Sequence, residues 1–192
     1  MRVMSLNAGL AAQPLGLLTR ADWERLPEDE LRRIECVEGV LLVSPRPARR
    51  HQKIASRLYI LLDAALPADL WVFQEIDVMI SDNPLTVRSP DLVVMDRQAA
   101  RSQAPLAAAA DVRLVAEILS PGSHRTDRVT KMSEYAEAGI GEYWLIDPDA
   151  RTLAVFTLGK THYQLAGEYD GAVTLSFAGV QFAVDVAALT EF

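Results

Sequence analysis

Apolar residues at Ile54, Leu58, Leu61, Leu62 and Leu66 recur with the spacing of one helix face and predict a helix over about 48–66. His51 stands three residues before Ile54 and seven before Leu58, so it shares the buried face, one turn from the helix start. Upstream, Thr19-Arg20-Ala21-Asp22 pairs an N-cap threonine with an acidic residue at the third helical position, opening a short helix over about 20–27. Arg33–Val37 and Val40–Val43 flank Glu38-Gly39 and read as a β-hairpin. Trp71 to Ile80 alternates, with Val72, Ile76, Val78 and Ile80 as its apolar members, and reads as one strand. Asp91–Met95 and Arg113–Leu119 are apolar on both faces, which suits strands in the middle of a helix-covered sheet.

The Ala-rich stretch 97–111 reads as a variable loop or short helix. A helix opens at Thr126 or Asp127, runs to about Ala138 and stops at Gly139. Glu142–Ile146 is a further strand, ended by Asp147-Pro148. Short strands follow over Arg151–Leu158, Thr161–Ala166 and Val173–Phe177, with Gly159-Lys160 and Asp170-Gly171 as turns and Asp185 as cap of a short last helix. This order predicts one α/β (α+β) domain over 19–192, a mixed central sheet flanked by helices with extra hairpins at both ends, behind a loose tail at 1–18.

Composition narrows the function classes. With 192 residues, half of them hydrophobic and 23% charged, the chain can build a core without metal or disulfide staples. Its one cysteine, Cys36, excludes an internal disulfide framework and finger-type zinc sites, and fits a reducing, cytoplasmic setting. No apolar run reaches the ~18 residues of a membrane span, and Asn7, Gln13 and Pro14 interrupt any secretory signal. A net charge of −7 argues against coating nucleic acid by bulk charge but leaves room for a local basic patch. Sixteen of the 19 basic residues are arginine, which singles out Lys53, Lys131 and Lys160.

Two carboxylates interrupt the apolar strands. Asp91 follows Pro90 at a strand start, and Glu117 sits mid-strand. An ionised carboxylate there is costly unless a cation meets it. Two on adjacent strands can hold a divalent ion such as Mg²⁺, which typically takes one or two carboxylates and keeps its waters. The alternative is that Asp91 caps a turn and Glu117 pairs with an arginine. His51, after Arg49 and Arg50 at a helix start, stands where a phosphate could approach, or is an ordinary core histidine. His124 with Arg125 and Arg128 forms a small basic loop cluster, and His162 has only an ordinary strand context. Phosphate loops, serine elbows and His-Glu-x-x-His motifs are absent.

The residues Ile34-Glu35, Glu38-Gly39, Ser44-Pro45, His51, Pro90-Asp91, Glu117-Ile118-Leu119-Ser120-Pro121, Asp127, Lys131, Tyr135, Ala138-Gly139-Ile140 and Glu142 to Pro148 resemble the Uma-two family of the PD-(D/E)XK nuclease superfamily. The order of helix, three strands, crossover helix and strand matches that superfamily's core. The resemblance implies an endonuclease hydrolysing phosphodiester bonds in DNA, with Mg²⁺ (Mn²⁺ as a substitute) held by Asp91 and Glu117. The lysine expected two residues after the glutamate is replaced by Leu119. The resemblance implies that Lys131, on the following helix, supplies the cation, with Tyr135 as its neighbour.

Helix geometry sets a conflict. Val129, Met132, Ala136 and Ile140 form one apolar stripe, while Asp127, Lys131 and Tyr135 step by four on roughly the opposite face. If the stripe packs on the sheet, Asp127 and Lys131 are a surface ion pair. If Lys131 points into the site, something else covers the stripe. The rival to an enzyme is a non-catalytic nuclease-like module that binds nucleic acid or protein. Open strand edges in the C-terminal hairpins suggest a homodimer.

Overall fold

A computed structural model of the chain describes residues 16–26, 32–102, 104–120, 122–123 and 125–192. His124 and nearly all of the tail lie outside them. Thr19 caps α1 (Arg20–Trp23) through a reciprocal box: its Oγ1 accepts from the Asp22 N–H at 3.3 Å, and the Asp22 carboxylate accepts from the Thr19 N–H at 3.0 Å. The hairpin is β1 (Arg32–Val37) and β2 (Val40–Pro45), with Ile34 opposite Val43. Glu38 and Gly39 both take positive φ, 49° and 79°, as a tight hairpin turn requires. A side chain at Gly39 would also collide with Leu17, whose Cβ lies 2.5 Å from the position a Cβ would take. Leu18 buries its side chain and donates its N–H to the Gly39 carbonyl.

Next come α2 (Arg49–Ala65), β3 (Leu70–Gln74), β4 (Val78–Asp82), β5 (Leu85–Arg88) and β6 (Leu92–Asp96). The alternation from Trp71 to Ile80 is thus two strands rather than one. At Glu75 the backbone turns through a positive φ of 53° and the chain passes from one sheet to another. The period of two persists across the break, so the pattern does not reveal it. The Ala-rich stretch holds α3 (Arg97–Ala100) and β7 (Ala107–Ala108). After β8 (Val112–Ile118), the crossover helix begins as π-helix over Thr126–Lys131 and continues as α4 (Met132–Glu137). The remaining elements are β9 (Glu142–Asp147), β10 (Thr152–Leu158), β11 (Tyr163–Tyr169), β12 (Ala172–Phe177), β13 (Val180–Asp185) and α5 (Val186–Thr190). Asp185 caps α5, accepting from the Ala188 N–H at 3.0 Å, and His162 lies in the turn before β11 rather than in a strand.

The central sheet has six strands in the order β11-β10-β9-β8-β6-β3. Only its β8–β9 pair is parallel, and the crossover helix makes that connection. Side-chain alternation divides the core. Leu114, Ala116 and Ile118 face α2, α5 and the β12–β13 hairpin, whereas Val115 and Leu119 face Tyr135, Ala136 and Ile140 of the crossover segment. The N-terminal hairpin is not a free appendage. It belongs to a second sheet in the order β2-β1-β5-β4-β7, with Cys36 opposite Val87 and fully buried. The class is α+β, mixed sheets flanked by helices. Among the described residues no helix is long and apolar enough to cross a membrane.

Candidate active site

β6 and β8 run antiparallel with Leu92 opposite Ala116, so Asp91, one residue before β6, falls beside Glu117. Both carboxylates are buried (2% and 1% exposed) yet line one cleft of about 660 Å³. Asp91 Oδ1 accepts from Arg33 Nη1 at 2.7 Å. Its Oδ2 accepts from the Ile118 N–H at 2.7 Å and meets His51 Nε2 at 2.9 Å. Burial works against this charge, but His51, Arg33 and the Ile118 N–H outweigh it and hold the carboxyl below the usual carboxylate range. His51 is shifted up: burial opposes its protonation, and the contact with Asp91 overcomes it.

Glu117 Oε1 accepts from Lys131 Nζ and from the Tyr135 hydroxyl, both at 2.8 Å. Burial pushes Glu117 up, Lys131 opposes that push, and Asp91 adds to it. Lys131, in turn, is held protonated: burial opposes its charge, but Glu117, Glu35 and Asp127 raise it further. The two shifts point to different charge states for the pair. Two donors converging on one carboxylate oxygen favour the ionised form, and we take the pair as charged. Lys131 also lies 3.5 Å from Glu35 and 3.4 Å from Asp127. The pair read as a surface candidate is therefore buried, Asp127 at 2% and Lys131 at 5% exposure.

The helix resolves the predicted conflict in favour of the polar face. Val129 is 62% exposed, Met132 is half-buried, and only Ala136 and Ile140 of the stripe are buried. The π turns over Thr126–Lys131 are wider than α turns, which rotates Asp127 into line with Lys131 and Tyr135. Tyr135 is fully buried beneath the cleft, its hydroxyl given to Glu117.

The sequence reading missed two arginines and understated one glutamate. Arg33 and Glu35 alternate with Ile34 and Cys36 on β1, so they share one face, and that face closes over the carboxylates. Glu35 takes Arg88 Nη1 at 3.0 Å and the Ser89 N–H at 3.2 Å. Arg88, 1% exposed, also grips Glu134 through two bonds of 2.7 and 2.9 Å. The period-two polarity of 33 and 35 was the available signal. The cluster sets five carboxylates (Glu35, Asp91, Glu117, Asp127 and Glu134) against Arg33, Arg88, Lys131 and His51. It remains short of positive charge.

Among the described residues no three His, Cys, Asp or Glu side chains converge closely enough to cage an ion by themselves. The donor chemistry nonetheless fits a hard divalent cation: two carboxylates side by side, a net negative surround, and an open cleft for the ion's waters. Among the described residues Glu117 Oε2 accepts no hydrogen bond, and Arg33 Nη2 lies 3.8 Å away, beyond hydrogen-bond reach.

The profile of the Uma2 family, described as "Putative restriction endonuclease", matches residues 20–187. The crystal structure of "a putative nuclease belonging to DUF820" from Anabaena variabilis ATCC 29413 superposes with a TM-score of 0.73 at 22% identity, covering 90% of this chain and 97% of the other. No curated protein matches the chain. At that identity the superposition establishes the fold, while the profile, running from α1 to α5 and through every residue of the charged cluster, establishes that the chain belongs to the Uma2 family.

Proposed function

We propose that this protein is a divalent-metal-dependent nuclease of the PD-(D/E)XK type that hydrolyses phosphodiester bonds in DNA. The supporting observation is the placement of Asp91 and Glu117 side by side on neighbouring strands, facing one cleft, with Lys131 bonded to Glu117. Family membership and the nuclease relative of the same fold point the same way.

In this reading Asp91 and Glu117 would hold Mg²⁺, with the Ile118 carbonyl as a further oxygen. The ion, when bound, lowers the pKa of a coordinated water and neutralises charge on the scissile phosphate. The chain's own groups do the rest. The Ile118 N–H and His51 fix Asp91 Oδ2, so that Oδ1, held by Arg33 at 2.7 Å, is the oxygen left to meet a cation. Lys131, which lines the cleft, orients the attacking water and stabilises charge on the phosphate. Tyr135 is a positioning residue that fixes the Glu117 rotamer. Arg50 stands at the cleft wall, bonded to Asp149 at 2.7 Å and to the Pro148 carbonyl, where it can turn toward a phosphate backbone.

The test is cleavage of varied DNA duplexes and single strands with Mg²⁺ or Mn²⁺, with Asp91→Asn as control. Metal-dependent cleavage that falls ~10²–10³-fold or more in the variant is the expected result. Cleavage equal in both proteins overturns the site. A second reading, a nuclease-like module that binds without cutting, has one observation in its favour: Arg33 closes the gap between the carboxylates. Tight DNA binding without cleavage under every metal condition would select it.

A further inference from the structure

We propose that Arg33 is the resident counter-ion of the metal position: its guanidinium holds the gap between Asp91 and Glu117 when no metal ion is bound, and swings into the cleft when one binds. This inference rests on the metal-dependent reading above.

Three observations carry it. First, the guanidinium sits among three carboxylates, 2.7 Å from Asp91 Oδ1, 3.8 Å from Glu117 Oε2 and 3.9 Å from Glu35 Oε1. A divalent ion bridging Asp91 and Glu117 would take the same oxygens at ~2.0–2.6 Å. Ion and guanidinium would then contest the same lone pairs and repel each other.

Second, Arg33 is poorly satisfied where it sits. Its Nε and Nη2 are buried with no hydrogen-bond partner among the described residues. Arg88, buried in the same cluster, bonds through Nε, Nη1 and Nη2 alike. Most buried polar groups are paired, as those of Arg88 are, and Arg33 leaves two nitrogens unpaired where Arg50 and Arg97 each leave one. Arg33 therefore gives up one good hydrogen bond on leaving, where Arg88 would give up three.

Third, a way out exists. Arg33 itself lines the cleft, and its side chain keeps 17% exposure. Its flexible stem can carry the head group outward while β1 stays in its sheet.

The test measures Mn²⁺ binding by calorimetry on the full chain without nucleic acid, in wild type, Arg33→Gln, Arg33→Lys and Asp91→Asn. Arg33→Gln is expected to bind about tenfold tighter or more, which corresponds to about 1.4 kcal/mol. Arg33→Lys should fall between. Binding in Arg33→Gln that equals or trails wild type, while Asp91→Asn loses it, overturns the counter-ion role and leaves the metal reading intact. Absence of binding in both wild type and Arg33→Gln overturns both. Should Arg33→Gln fail to fold, the Arg33 Nε–H resonance of the native protein decides. Added Mg²⁺ should shift it and strip its protection from solvent exchange. A resonance that stays put while the Ile118 N–H shifts overturns the inference, and if neither moves the metal reading falls with it.

Discussion

Lys131 offers the sharpest measurement, because its burial reverses what an exposed Asp127–Lys131 pair would imply. In Lys131→Met the stem keeps most of its volume, so the change isolates the ammonium. That ammonium lies 2.8 Å from Glu117, 3.4 Å from Asp127 and 3.5 Å from Glu35. At an effective dielectric of about 20, the Glu117 contact alone is worth roughly 6 kcal/mol of attraction. Burying both ions opposes that by several kcal/mol, and truncating one partner of such a pair costs about 3–5 kcal/mol net. A solvent-exposed pair would cost at most about 1 kcal/mol. Urea unfolding near neutral pH, with chelator present, separates the two, and an unchanged denaturant slope would show that the unfolded state is not the cause.

Two further readouts tie the loss to charge. Burial already pushes Glu117 up, and without the ammonium the main charge opposing that push is gone, so its folded-state pKa lies further above the unfolded one. Stability should then be regained as pH falls and lost as it rises, narrowing the gap to wild type in mild acid. Glu117→Gln added to Lys131→Met should recover part of the loss, because no ionised Glu117 is left unpaired. A loss under about 1 kcal/mol with no pH dependence would refute the buried network. Cleavage data on Lys131 variants carry meaning only beside this stability measurement.

Three more outcomes follow from the same geometry. Asp77 is pushed up to about 6 by burial, with Glu35 adding to the push, against an unfolded value of 3.8. Its favourable contribution is complete below 3.8 and fades as pH rises to about 6, so Asp77→Asn should stabilise the protein at neutral pH by at most about 3 kcal/mol; a destabilised variant in urea unfolding would contradict this. His51 is shifted up from 6.5, so its stabilisation is complete below that value and disappears as pH passes the higher folded one. His51→Gln should cost most in mild acid and least at alkaline pH, and a deficit that grows with pH would exclude the Asp91–His51 contact. Among the described residues no strand pairs with the outer edge of β11, which carries Leu165 at 56% exposure, so light scattering should report a mass twice that of one chain, with a concentration-independent monomer counting against a homodimer.

Periodicity made α2, β8, β9 and the crossover helix legible in the sequence, because each is a regular element with an unbroken apolar pattern. It failed at Glu75, where the chain changes sheets without a change of period. Asp91 and Glu117 stood out because they interrupt apolar strands. Their neighbours in the charged cluster did not, because Arg33 and Glu35 sit on a hairpin strand whose polar face looks solvated until its sheet packs that face over the carboxylates. The inward turn of Lys131 was hidden for a related reason. Helical-wheel reasoning assumes α turns, and the π turns here hold buried polar groups on a face that an α-helix would have given to solvent.

On the proposed reading, that turn is how the site would do without a lysine two residues past its glutamate. Glu117 and Leu119 share one face along β8, so a lysine at 119 would offer its ammonium from within the sheet. Leu119 is instead 4% exposed and packed in the core beneath the crossover helix, which commits that position to apolar contact. The cation must then come from above. Steps of four overshoot an α turn of about 3.6 residues and drift one way around the axis. In π-helix, where bonds close from i to i+5, the same step falls short and drifts the other way. Running π into α at Lys131 sets the two drifts against each other, and Asp127, Lys131 and Tyr135 all end up facing inward toward Glu117. On the proposed reading, the polar groups that would replace the strand lysine thus arrive as a set: an ammonium for Glu117, a hydroxyl to fix its rotamer, and an aspartate to share the ammonium's charge.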